Sequence, residues 1–341
     1  MLYSVARQAL FATDPERAHQ ISLEGLRLAH RLGATRWMCK QARIPVRCMG
    51  LEFSNPVGVA AGLDKNAEYF EALAGLGFGF VEVGTVTPRA QPGNPGPRVF
   101  RLPQARALIN RLGFNNKGVD HLVRNIANRR SKGVLGVNIG KNRDTPVENA
   151  AADYLHCLEK VFAFADYVTV NVSSPNTSGL RELQTESSLD ALLTGLAERR
   201  RQLAERHGRS VPLAVKVAPD LQPEQISAMA RVICNSNMDA VIATNTTISR
   251  QGVEGLKHAG ESGGLSGAPL RPMADAVLQA FRDALPASVD LIGVGGICSG
   301  ADAIAKLDRG ASLVQFYTGM IYRGPELLNE CLAAIGDRQA L

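Results

Sequence analysis

The chain has 341 residues and contains no run of about 18 or more apolar residues, so no bilayer-spanning helix is expected. Its start, MLYSVARQALFATD, lacks a basic segment leading into an apolar one, so no cleavable export signal is expected. The cysteines (Cys39, Cys48, Cys157, Cys234, Cys298 and Cys331) form no Cys-x-x-Cys pair, which points to free thiols in a reducing compartment. The histidines form no His-Glu-x-x-His or similar cluster, and no metal is expected. Charged residues make up only 21% and hydrophobic ones 45%, which excludes a disordered composition and leaves one large core or two ordinary domains.

What charge there is sits unevenly. The net charge is +6. Residues 1–47 carry Arg7, Arg17, Arg27, Arg31, Arg36, Lys40, Arg43 and Arg47 against only Asp14, Glu16 and Glu24, so most of the excess lies there. Residues 1–45 read as a helical extension. Leu2, Val5, Ala6, Ala9 and Leu10 follow a helical period, and a second helix begins near residue 14. It starts either with a Thr13/Glu16 capping box or with Asp14 as cap and Pro15 in the first turn. Its apolar residues, Ala18, Ile21, Leu23, Leu26, Leu28, Ala29 and Leu32, spread too widely for one core-facing stripe. With Trp37 and the basic residues, two readings stand: a helix pair lying on an anionic membrane surface, or a hairpin packed on the main domain.

From residue 46 the pattern changes. Residues 46–53 read as a short two-stranded cover. Eight apolar runs follow, at 57–61, 80–85, 134–139, 167–172, 213–217, 240–244, 291–294 and 313–317. Helical patterns fill 67–76, 116–131, 147–163, 187–206, 223–235, 270–284, 300–308 and 325–335. Eight strand–helix units in this length predict an α/β fold, a (β/α)8 TIM barrel over 46–341; an open doubly wound sheet is the alternative.

A barrel of this kind places its chemistry where the strands end. Polar residues fall there at nearly every run: Lys65 and Asn66 after the first, Thr85, Asn138, Asn171, Lys216, Thr244 with Asn245 and Thr246, Gly295 with Gly296, and Tyr317 with Thr318. Three connections are long (86–115, 173–186 and 245–269), a length usual for binding loops or lids. The fourth run leads into Ser173, Ser174, Pro175, Asn176, Thr177 and Ser178. That segment is either an ordinary Ser/Pro/Asn turn or a set of hydroxyls and amides aimed into a dry pocket, with Pro175 restricting Ser174.

Several chemistries follow. Gly295, Gly296, Thr318, Gly319, Ser266 and Gly267 offer backbone donors of the kind that close on a phosphate. Lys216, inside the apolar run LAVKV, needs an anion or a lowered pKa. It could face a negative flavin ring or form a Schiff base. Lys65 could hold a carboxylate, or simply pair with Asp64. Asn110, Asn138, Asn171, Asn176 and Asn245 offer paired donors and acceptors suited to a flavin or a pyrimidine edge. No acidic pair and no histidine lies at these ends, which argues against acid–base hydrolysis.

Taken together, AGLDKN (61–66), NRLGFNN (110–116), NVSSPNT (171–177), AVKV (214–217), ATNTT (243–247), GGLSG (263–267) and GVGGI (293–297) closely resemble dihydroorotate dehydrogenase, over essentially the whole chain. The narrower resemblance is to its quinone-dependent, membrane-associated class of bacteria and mitochondria. It implies oxidation of (S)-dihydroorotate to orotate, with FMN as hydride acceptor and a membrane quinone as final acceptor, in pyrimidine biosynthesis. It implies Ser174 as the base at C5, where soluble classes carry cysteine, with Thr177, a water and Phe114 assisting. Substrate contacts would be Lys65, Asn110, Arg111, Leu112, Gly113, Phe114, Asn171, Asn176, Asn245 and Thr246. FMN contacts would be Ala61, Gly62, Leu63, Asp64, Lys65, Thr85, Asn138, Asn171, Lys216, Thr244, Gly267, Gly296, Tyr317 and Thr318. His19, Arg101 and Tyr317 would line a quinone tunnel roofed by the helical pair of 1–45.

The resemblance favours a peripheral protein on the cytoplasmic face of the inner membrane, acting as a monomer without an obligate protein partner. No nucleic acid is expected: the basic run 199–209 reads as a solvated helix face. The competing readings are another flavin barrel or soluble dihydroorotate oxidase, a Schiff-base lyase using Lys216, and a non-catalytic phosphate or lipid binder.

Overall fold

The computed structural model describes residues 2–39, 42–177 and 179–339; Lys40 and Ser178, named above, lie outside them. The strands are β1 Val46–Cys48, β2 Leu51–Phe53, β3 Val57–Val59, β4 Phe80–Val86, β5 Val99–Leu102, β6 Ala107–Asn110, β7 Val134–Ile139, β8 Tyr167–Asn171, β9 Leu213–Val217, β10 Ala240–Ala243, β11 Gly264–Gly267, β12 Asp290–Val294 and β13 Leu313–Phe316. The helices are α1 Leu2–Phe11, α2 Pro15–Arg31, α3 Thr35–Met38, α4 Phe70–Ala74, α5 Val119–Ile126, α6 Ala150–Val161, α7 Glu186–His207, α8 Pro223–Asn235, α9 Arg271–Ala284, α10 Gly300–Asp308, α11 Thr318–Arg323 and α12 Glu326–Gln339.

Eight strands close into a parallel barrel in the order β3-β4-β7-β8-β9-β10-β12-β13, with β13 returning to pair with β3. This is the expected (β/α)8 barrel, and each of the eight apolar runs became one of its strands. The runs are continuously apolar because both faces are covered. The outer faces pack under the helices, where Leu73, Leu122, Tyr154, Leu193, Met229, Phe281 and Leu327 are buried. Inside the barrel, Phe80, Tyr167, Ile242, Ile292 and Leu313 form a second core, closed from one end by Met49 and Phe53 of the β1–β2 hairpin. Gly58 and Gly136 make room for the rings: a Cβ there would lie 2.4 Å from Phe80 Cζ and 2.2 Å from Tyr167 Cζ respectively.

The start of α2 distinguishes the two capping schemes. Asp14 Oδ1 accepts from the backbone N–H of Glu16 (3.0 Å) and Arg17 (2.9 Å), with Pro15 in the first turn. The Glu16 side chain is therefore free to point away from the cap, and its carboxylate takes a bidentate Arg98 guanidinium, Nε to Oε1 and Nη2 to Oε2, both at 2.9 Å. The pair ties α2 to the barrel. Tyr3 and Arg7 tie α1 to it as well, donating to the carbonyls of Ile321 (2.7 Å) and Tyr322 (2.6 Å).

Two of the long connections are not plain loops. Residues 99–102, 107–110 and 264–267 form a three-stranded antiparallel sheet, β5-β6-β11, over the active face, with Phe100, Leu102, Ile109 and Leu265 as its own small core. The strands have four residues each, sit among Pro and Gly, and β11 comes from more than 150 residues away. The alternation in β5 is legible only once its partner is known.

Candidate active site

The strand ends converge on a cavity of about 170 Å³. It is lined by Ala61, Gly62, Lys65, Thr85, Asn110, Leu112, Gly113, Phe114, Asn171, Ser174, Asn176, Lys216, Thr244, Asn245, Thr246, Gly267, Gly296, Tyr317 and Thr318. Four expected residues lie elsewhere. Leu63 and Asp64 face a neighbouring cavity. Asn138 is fully buried behind the wall. Arg111 turns outward, ion-paired to Glu261 at 2.7 Å and stacked 4.6 Å from the centroid of Phe100.

An amide and hydroxyl network fixes the floor. Thr85 Oγ1 donates to Asn138 Oδ1 (2.6 Å), and Asn171 Nδ2 donates to Thr85 Oγ1 (2.9 Å). Asn245 Nδ2 donates to Ser173 Oγ (3.0 Å), which in turn donates to Asn171 Oδ1 (3.1 Å). The chain of bonds presets amide edges from four strand ends before anything binds. The peptides Gly84–Thr85 and Ala243–Thr244 at two of these ends are cis.

The two lysines differ in their partners. Lys216 is buried and its Nζ has no hydrogen-bond partner among the described residues. Burial pulls its pKa down, with the Glu82 carboxylate opposing. An enclosed ammonium without a partner, beside bare backbone at Gly267 and Gly296, fits an anionic, ring-shaped group with a phosphate. Lys65 Nζ donates to Asn115 Oδ1 at 2.6 Å. Burial and the nearby Arg98 guanidinium lower its pKa to about 8, with Glu16 opposing.

Ser174 is buried, and its Oγ accepts from the Asn176 backbone N–H at 3.2 Å. Thr177 Oγ1, in the same loop, is buried with no hydrogen-bond partner among the described residues. Phe114 is buried in the wall of the cavity that Ser174 lines.

A second cavity, about 460 Å³, lies between the helical pair and the barrel. Leu10, Phe11, Leu23, Leu26, Ala29, Met38, Met320 and Ile321 give it an apolar lining, and His19, Arg101 and Tyr317 are in its wall. Burial, followed by the Lys65 charge, lowers the His19 pKa to about 4, so its ring is neutral at neutral pH. The Arg101 guanidinium is already engaged, donating to the carbonyls of Leu10, Phe11 and Thr13. The outer side of the pair is apolar too. Leu32 is 75% and Trp37 81% exposed, joined by Val5, Ile21, Leu28 and Met38. This explains the wide apolar set of α2: one face lines a cavity and the face next to it is bare.

The family model described as dihydroorotate dehydrogenase matches residues 43–338. The chain belongs to the dihydroorotate dehydrogenase family. A protein of Herminiimonas arsenicoxydans named dihydroorotate dehydrogenase (quinone) is 58% identical over 338 residues, covering 98% of this chain and 97% of the relative. One of Acinetobacter baylyi with the same name is 55% identical over 335 residues, covering 98% of this chain and all of the relative. Among solved structures, the Eimeria tenella enzyme in complex with ferulenol superposes with a TM-score of 0.87 at 38% identity, covering 96% of this chain and 92% of that one.

Sequence reasoning passed over several residues of this dihydroorotate dehydrogenase fold. Glu82, Tyr167 and Gln315 form a buried cluster beneath the cavity. Glu82 accepts from Asn138 Nδ2 (2.8 Å), Tyr167 OH (2.8 Å) and Gln315 Nε2 (2.9 Å). The signal that singled out Lys216, a polar residue inside an apolar strand, was equally present in FVEVGTV and LVQF. Asn115, the partner of Lys65, gave no such signal.

Proposed function

We propose that this protein oxidises (S)-dihydroorotate to orotate with bound FMN and passes the electrons to a membrane quinone, in pyrimidine biosynthesis. The observation that carries this reading is the pair of adjoining cavities: a polar one rimmed by amides and Ser174, and an apolar one opening under the helical pair, with Lys65 and Tyr317 in the wall of both. FMN would rest against Ala61, Gly62, Thr85, Lys216 and Thr244, with its phosphate at Gly267, Gly296 and Thr318. When bound it supplies the acceptor for the hydride from C6 and relays electrons to the quinone.

The chain's own residues do the rest. Lys65 faces the substrate carboxylate as an ammonium. Asn110, Asn171, Asn176, Asn245 and Thr246 hold the pyrimidine edges, which orients C5 toward Ser174. Ser174 Oγ takes the C5 proton. A serine hydroxyl is a weak base and must release its own proton as it accepts one. Thr177, whose buried hydroxyl has no hydrogen-bond partner among the described residues, would relay that proton with a water outward to solvent, passing on its own proton as it accepts one, and Phe114 would shield the relay. On the other side, neutral His19 offers a hydrogen bond to a quinone head group without attracting a counter-ion.

No helix of the described residues is long and apolar enough to cross a membrane. The bare apolar face at Ile21, Leu28, Leu32 and Trp37, with exposed Arg17, Arg31 and Arg36 on the same helices, supports peripheral attachment to an anionic bilayer, with the apolar cavity as the quinone's way in. The test is steady-state turnover of the purified protein with dihydroorotate and a short-chain quinone. Orotate formation with parallel double-reciprocal lines supports the reading; no orotate from saturating dihydroorotate overturns it.

A further inference from the structure

We propose that Arg181, paired with Asp220, is a positioning residue for Ser174 and for the substrate-holding loop after β10. It deepens the reading above and rests on it for the identity of the reacting base. Arg181 lies on the short helical turn Leu180–Gln184 that follows the serine segment. Its guanidinium joins three loops of the active face. Nε donates to Ser173 O (3.2 Å), Nη2 to Thr246 O (3.0 Å), and Nη1 is ion-paired to Asp220 Oδ2 at 2.9 Å. Asp220, beyond the end of β9, turns its other oxygen to the Thr247 hydroxyl and accepts the Ile248 N–H at 3.3 Å. Both side chains are mostly buried, at 23% and 16% exposure, so solvent screens the pair little.

The two carbonyls it holds are well chosen for control. The Ser173 carbonyl belongs to the peptide plane that carries the Ser174 N–H, and Pro175 restricts the backbone on the far side of Ser174. Fixing that plane therefore leaves the Ser174 side chain little freedom. The Ser173 hydroxyl is bound inward by Asn171 and Asn245 while its carbonyl is bound outward by Arg181. The Thr246 carbonyl is held by the same guanidinium, while the Thr246 N–H donates to Asn245 Oδ1 at 2.8 Å. One planar, five-donor group thus sets the base and the Asn245 amide in common register, a geometry that a lysine's ammonium reproduces only in part. A misplacement of about 1 Å at such a site costs on the order of a hundredfold in rate. None of these atoms touches the apolar cavity, so the clamp acts on substrate oxidation and not on quinone reduction.

The experiment separates the half-reactions in Arg181→Gln, Arg181→Lys and Asp220→Asn holoenzymes. Flavin reduction by dihydroorotate is followed anaerobically, and re-oxidation of dithionite-reduced enzyme by quinone is followed separately. Expected are a fall in flavin reduction of at least about tenfold for Arg181→Gln, a smaller fall for Arg181→Lys, and re-oxidation at the wild-type rate. The Arg181→Gln/Asp220→Asn double variant should be no slower than the slower single, as for two parts of one clamp. Amide hydrogen exchange without substrate is the second arm: residues 172–184 and 244–248 should exchange faster in Arg181→Gln while the barrel strands stay protected. Wild-type flavin reduction and unchanged exchange in Arg181→Gln would overturn the clamp, as would an equal fall in both half-reactions. Wild-type enzyme that dihydroorotate fails to reduce would sink the functional reading instead, and exchange would still judge the clamp.

Discussion

Lys65 and Tyr317 line both cavities from the two sides of the seam where the barrel closes: each follows one of the two strands, β3 and β13, that pair to complete the sheet. Residues 252 positions apart become one wall because the eighth strand returns to the first. A flavin at that wall meets a polar chamber on one side and an apolar one on the other. This is the arrangement that passing electrons from a water-soluble acid to a lipid-soluble acceptor requires.

Removing the hydroxyl of Ser174 tests the polar side. Ser174→Ala should slow flavin reduction by dihydroorotate by about 10²–10⁴-fold, the usual worth of a positioned base, while leaving re-oxidation by quinone unchanged. Rapid mixing of each half-reaction measures both. Flavin reduced at the wild-type rate would remove Ser174 from the mechanism.

Lys65 gives the substrate side a pH dependence. With its pKa lowered to about 8, the ammonium is present below that pH and lost above it. Orotate affinity should be flat up to about pH 7 and weaken by roughly tenfold per unit well above the lysine's pKa. Titrating oxidised enzyme with orotate across this range checks it. Lys65→Met should bind weakly at every pH; a variant that kept the slope would show that another group titrates.

The outer face of the helical pair should matter for attachment and not for chemistry. Replacing Leu28, Leu32 and Trp37 by serine removes three exposed apolar side chains that line neither cavity. At about 1.5–3 kcal/mol for each side chain buried, partitioning onto anionic vesicles should drop by at least about a hundredfold. Reduction of a soluble dye acceptor by dihydroorotate should persist. Unchanged co-sedimentation with vesicles would mean that another surface binds the bilayer.

Glu82 bears on stability. Its carboxylate is fully buried and accepts from three side chains, so Glu82→Ala leaves Asn138, Tyr167 and Gln315 with unmet donors. A cost of about 3–5 kcal/mol is expected, seen in a chain of this length as a Tm lower by roughly 4–7 °C. Glu82→Gln, which keeps an acceptor and the shape, should lose less. Equal melting of Glu82→Ala and wild type would show the cluster contributes nothing.

The barrel was legible in the sequence because a doubly covered strand is apolar throughout, and eight such runs alternating with helical segments match the units of a closed parallel sheet. The strand-end polar residues were legible for the same reason: Lys216 or Asn171 in an otherwise apolar run is conspicuous. What escaped depended on partners distant in the chain. The β5-β6-β11 sheet needs residues 107–110 to meet 264–267. Arg111, Asn115, Arg181 and Asp220 look alike as loop residues, yet Arg111 turns out to Glu261 while Arg181 turns in to Ser173. Nothing local to either arginine distinguishes them. The α1–α2 pair lay between these cases: its basic excess and wide apolar set could be read, but not which face was covered.

The most direct test of the two-chamber account is anaerobic absorbance of the purified, flavin-loaded protein through one cycle. Dihydroorotate should bleach the flavin band with formation of one orotate per flavin, and a short-chain quinone added next should restore it completely. A band that persists under saturating dihydroorotate, or a bleached flavin that quinone fails to re-oxidise, would contradict the account.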